Sequence, residues 1–181
     1  WAIENPHEIT QCHHQYQFSV NVWAGILDDY LFFSFLPETL NGDRYLHFLT
    51  VDLHEFLEDV PLDVRENMWF MLDGAPAHFD LRVRERLNQT YANNWIGRGG
   101  PVPWPARSPD LNPLDFFLWG HLKAIVYSSP VESVEDLRVR ISNGIERIRQ
   151  TPGIFERVRQ SMSKRLEACI LNEGRHFEQL L

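Results

Sequence analysis

The stretch MWFMLDGAPAHF, residues 68–79, decides the fold. It opens as a short continuous apolar run, and Gly74 cuts that run off one residue after Asp73. A run of this length bounded by a turn signal reads as a buried strand. Asp73 then stands at the C-terminal edge of that strand, where open α/β sheets place their sites.

Working outward, Ala77 to Gln89 reads as a helix with Val83 and Leu87 inward, and 94–96 as a further short strand. GRGGPVPWPARSP (97–109) is a loop dense in Gly and Pro. Pro113 suits a first helical turn, and the helix it opens runs to Val126. Upstream, residues 16–27 alternate as a strand, Asp28-Asp29 reads as a hairpin turn, and 30–37 returns until Pro37. Tyr45, Leu49, Leu53 and Phe56 recur at helical spacing, so 42–59 is expected to be one amphipathic helix closed by Pro61. The last third carries two helices. Ser133 and Asp136 resemble a capping box for the first, and Phe155, Val158, Met162, Leu166 and Cys169 form the stripe of the second. The order predicts an α/β domain with a helical C-terminal flank.

The 181 residues suffice for one domain with a real core, and 44% hydrophobic content fits a globular chain. No apolar stretch approaches the roughly 18–20 residues of a membrane span. Cys12 and Cys169 stand outside any metal-ligand spacing, which favours a reducing interior over secretion. A net charge of −8 argues against a dedicated nucleic-acid binder, but the charge is uneven. Residues 1–65 hold 11 acidic and 2 basic side chains, whereas 66–129 hold 6 of each. The basic ones there are Arg82, Arg84, Arg86, Arg98, Arg107 and Lys123. They read either as solvated faces or as a phosphate-facing rim.

Asp115, in WPARSPDLNPLDFFLWGHLK (104–123), is the second candidate acid. Asp73 and Asp115 together suit Mg²⁺ or Mn²⁺ and phosphodiester chemistry. Taken alone, each also reads as a turn or helix-start residue. Arg98 and Arg107, in the loop, are the best candidate phosphate contacts. His78 is placed to reach phosphate or a metal-bound water, or to pack. Trp104 and Trp119 suit base stacking or the core. Asp110 reads as a turn or capping residue.

DGAPAHF (73–79), the whole of 95–123, and GRHFEQLL (174–181) resemble the catalytic domain of Tc/mariner-type transposases, and the likeness reaches back through FSVNVWAGI (18–26) to ENPH (4–7). The resemblance implies a ribonuclease-H-like mixed sheet flanked by helices over 1–129, with helices 130–181 packing on the same domain. It makes Asp73 the second acid of a catalytic triad and Asp115 the third, with 41 residues between them. The family's first acid lies on a strand upstream of ENPH, central in the sheet, so the chain is expected to be a fragment lacking that Asp and the N-terminal DNA-binding region. Asp28 and Asp29 are poor substitutes at a hairpin tip.

The implied activity is metal-dependent DNA cleavage and strand transfer at a two-metal site, with water and then a 3′ hydroxyl as nucleophile. As a fragment the chain is expected to be weakly active or inactive. Implied partners are double-stranded DNA (transposon ends and target) and a second copy as a homodimer, with no membrane, in the nucleus. His78, Arg98, Arg107 and Lys123 are the expected DNA contacts. The alternatives are an inactive relic, a domesticated DNA- or protein-binding domain, and an unrelated nuclease on the same fold.

Overall fold

The computed structural model describes residues 18–105 and 108–181. Strands β1 (Asn21–Leu27) and β2 (Tyr30–Leu36) form an antiparallel hairpin running from Asn21↔Leu36 to Leu27↔Tyr30. The turn is the two residues expected, and Asp28 takes the positive φ of 50° that such a turn needs. Residues 16 and 17 of the expected first strand lie outside the described residues.

Both hairpin faces are covered, as the two-residue alternation of side chains allows. Ala24 and Leu31 pack with the C-terminal helices, while Trp23 and Leu36 turn to a second core around Tyr45, Phe48 and Trp95. The first core is built by the last three α-helices of the chain, α5 (Trp119–Val126), α6 (Val134–Arg149) and α7 (Ile154–Leu171). The expected cap holds: the Ser133 hydroxyl accepts from the Asp136 N–H at 3.0 Å.

The stripe of α7 departs from expectation. Phe155 and Val158 are buried, but Leu166 is 42% exposed. Beyond Val158 the helix leaves the hairpin core and runs onto residues 109–116. There Arg165 makes the contact, over the Phe116 ring at 4.4 Å and to the Asp110 carbonyl at 3.2 Å.

The helix expected over 42–59 is two: α1 (Gly42–Thr50) and α2 (Asp52–Glu58), broken at Val51. Thr50 Oγ1 donates back to the Leu46 carbonyl, and β-branched residues at 50 and 51 weaken the helix where it bends. Pro61 does not merely end a helix. It starts α3 (Leu62–Asn67), a place that suits proline.

Strand β3 (Phe70–Met71) pairs in parallel with β4 (Trp95–Gly97), and β4 with β5 (Val102–Pro103). Pairing extends past β3 through the Leu72 N–H to the Ile96 carbonyl. β5 falls in the segment expected to be loop, because two residues, one of them proline, carry no readable period. The helix expected from Ala77 is a 3₁₀ turn, Pro76–Phe79, and then α4 (Leu81–Tyr91), whose N-cap is Asp80. Among the described residues no strand joins the hairpin to the β3–β4–β5 ladder.

Candidate functional site

Asp73 leaves the end of the β3 segment and turns. Its Oδ1 accepts from the Ala75 N–H at 3.0 Å and faces His78 Nδ1 at 2.8 Å. The His78 ring lies on Tyr45, centroids 4.3 Å apart, and Tyr45 is buried. His78 therefore grips the Asp73 carboxylate from a fixed aromatic seat. That bond, first of all, holds the Asp73 pKa below its usual value; partial burial opposes it and the Ala75 N–H reinforces it.

Asp115 sits in a wide π-helical turn, Leu114–Leu118, that precedes α5, where an ordinary α-helix was expected. Such turns recur at functional sites. Asn112 builds this one. Its Oδ1 accepts from the Leu114 N–H at 3.1 Å, and its Nδ2 donates to Asp115 Oδ2 at 2.8 Å. Asn112 is the one buried polar side chain among the described residues. Sequence reading passed over it; its signal was an Asn directly before a helix-starting proline. Asn112→Ala is expected to cost about 1–2 kcal/mol, the loss of a cap plus a side-chain bond, read as a lower denaturation midpoint.

Both carboxylates reach the surface, yet the protein strips part of the hydration of Asp115 and pushes its pKa up. The Asn112 bond opposes this, and the negative charge of nearby Asp73 adds to it. The Asp73 charge thus reaches Asp115. Two hard carboxylate donors near each other fit Mg²⁺ or Mn²⁺, which the pair Asp73 and Asp115 would hold. Among the described residues no third His, Cys, Asp or Glu closes in on both acids to make a tight group of three.

A raised folded pKa means the native state binds more protons than the unfolded one, so stability falls as pH rises through that interval. In metal-free buffer, Asp115→Asn is therefore expected to melt higher than wild type at neutral pH. The gain should fade as pH drops through the raised pKa towards 3.8. An equal gain at all pH values would mean that another cause is at work.

The other expected site residues scatter. Arg98 follows β4, the strand that pairs with β3, and its guanidinium lies over the Phe79 ring at 4.2 Å. Lys123 is exposed on α5. Arg107 lies outside the described residues. Trp119 packs against the helical core, and Trp104 is half-buried. Arg159 of α7 pairs with both Asp28 at 3.0 Å and Asp29 at 2.8 Å, so the hairpin tip is a structural contact. Asp110 groups instead with His176 and Glu178, whose donor atoms all lie within 4.8 Å of one another and could hold a metal ion.

No family model matches the chain. The Transposable element Tc3 transposase of Caenorhabditis elegans is 31% identical over 111 residues, which are 61% of this chain and 30% of that protein. The chain thus matches under a third of the length of that curated relative. Its fold is similar to the Mos1 transposase catalytic domain solved with Raltegravir and Mg, at a TM-score of 0.71 and 23% identity, covering 88% of this chain and 77% of that one. It is also similar to the mariner Mos1 paired end complex with Mg, at a TM-score of 0.65 and 25% identity, covering 82% and 41%.

Proposed function

We propose that this chain, similar in sequence to the Tc3 transposase and in fold to the Mos1 transposase catalytic domain, is a Tc/mariner-type catalytic domain with a ribonuclease-H-like fold and carries metal-dependent DNA strand cleavage and transfer. The observation that carries the reading is the pair Asp73 and Asp115, delivered by separate elements and close enough for one charge to raise the other's pKa. Asp73 and Asp115 would hold Mg²⁺ or Mn²⁺, and a two-metal site there would supply Lewis-acid polarisation of a scissile phosphate for in-line displacement by water or a 3′ hydroxyl.

The chain's own residues do the rest. His78 fixes the Asp73 carboxylate with one oxygen engaged, leaving Oδ2 without a hydrogen-bond partner among the described residues. Asn112 orients Asp115 in the same manner. Arg98 takes a backbone phosphate beside Asp73, and exposed Lys123 on α5 is a further phosphate contact. We propose double-stranded DNA ends as the partner, handled by two copies in the nucleus. The Mos1 paired-end complexes among the structural neighbours support DNA as the partner class. No helix among the described residues is long and apolar enough to cross a membrane.

One observation favours a second reading, a domain that binds DNA without cutting it: no third carboxylate completes the pair among the described residues. Incubating the chain with supercoiled plasmid and Mn²⁺ separates the two. Weak nicking that a chelator stops supports the enzyme. Salt-dependent DNA retention without nicking supports the binding domain. Nicking that persists in chelator would rule out the metal reading.

A further inference from the structure

We propose that Arg84 and Arg98, stacked on Phe79, form a two-cation clamp for the phosphodiester backbone of the DNA beside Asp73; this rests on the DNA reading above. Arg84 lies over the Phe79 ring at 4.6 Å and Arg98 at 4.2 Å. The two guanidiniums are thus no farther apart than those distances combined. Like charges so close are unfavourable unless something compensates.

Among the described residues neither guanidinium has a carboxylate partner or a side-chain hydrogen bond, although nearby Arg82 has taken both Asp43 and Asp80. Arg84 Nε is buried without a partner. The ring holds the two guanidinium groups themselves, and a stacked guanidinium can still turn N–H groups at its edge to an acceptor. A phosphate diester offers the charge and the oxygens that such planar forks match.

The placement favours DNA over a free anion. Phe79 ends the 3₁₀ turn that carries His78, the residue gripping Asp73. Arg98 emerges from the parallel strand next to the one leading to Asp73. The clamp therefore adjoins His78 in sequence on one side and follows the strand paired with β3 on the other. The backbone is built for the stack as well. Gly99 has φ of 76°, and a Cβ there would lie 3.2 Å from both Arg84 Nη1 and Phe79 Cε2. The loop lies tight against both side chains, and its positive φ favours glycine there.

The test is fluorescence anisotropy of the full chain with a labelled duplex of about 30 base pairs in chelator, titrated over a range of KCl, because each lost phosphate contact lowers the slope of log affinity against log salt by about one. Arg84→Gln and Arg98→Gln should each lower the slope by about one, and the double variant by about two. Exposed Arg147, on α6 in the other core, is the comparison, and Arg147→Gln should leave the slope unchanged. A steep wild-type slope that both clamp variants preserve overturns the clamp and keeps the DNA reading. So does an equal drop for Arg147→Gln. A wild type that binds no duplex at low salt overturns both. If Arg84→Gln fails to fold, exposed Arg98 carries the test alone, and Arg84→Lys should keep the wild-type slope.

Discussion

Asp73→Asn is expected to weaken Mn²⁺ binding tenfold or more, about 1.4 kcal/mol per factor of ten, and to remove metal-dependent nicking by on the order of 10²-fold. The substitution keeps the shape. An Asn Oδ1 still accepts from the Ala75 N–H, so the turn survives while the charge that attracts the cation is gone. His78 loses its anionic partner but keeps its seat on Tyr45. Stability should therefore move little at neutral pH, since the carboxylate is half exposed and such pairs contribute at most about 1 kcal/mol.

The sign of the acid effect follows from the lowered folded pKa. Asp73 stabilises the native state above its ordinary value of 3.8 and loses that contribution as pH falls through the folded value. The difference between wild type and Asp73→Asn should shrink in acid. Nicking by Asp73→Asn at the wild-type rate would move the chemistry away from this turn.

Trp95→Ala is expected to cost about 3–5 kcal/mol, the largest single loss of stability in the molecule. Trp95 is fully buried in β4 between the two partners of the parallel ladder, and its Nε1–H donates to Asn88 Oδ1 at 2.9 Å. Its ring fills the space that glycine leaves at 97 and 100, where an added Cβ would come within 2.9 and 2.7 Å of it. Truncation opens a cavity directly under the Asp73 strand. In a chain of this size that corresponds to a fall in melting temperature of roughly 6–20 °C. Trp95→Phe keeps most of the volume and leaves Asn88 unpaired, so it should cost less. A fall under about 1 kcal/mol for Trp95→Ala would show that the ladder repacks around the gap.

The departures from the sequence reading share a cause. Periodicity found the hairpin and α6, because each buries a regular face over many residues, and the apolar run stopped by Gly74 found the strand before Asp73. It failed at Val51, where one threonine hydroxyl competes with the helix, and at β5, too short to have a period. It failed again along α7, where the stripe persists in sequence after the core it should pack on has ended.

The apolar run, the Gly74 stop and the helix-starting Pro113 were enough to mark Asp73 and Asp115 as acids at the edges of elements, since local turn chemistry lies within a few residues of chain. Tertiary structure alone decided which groups surround them. Tyr45 seats His78 from 33 positions away, and Phe79 gathers Arg84 from a helix and Arg98 from a strand end. Pairings of that range depend on how separate elements pack, and no local spacing encodes them.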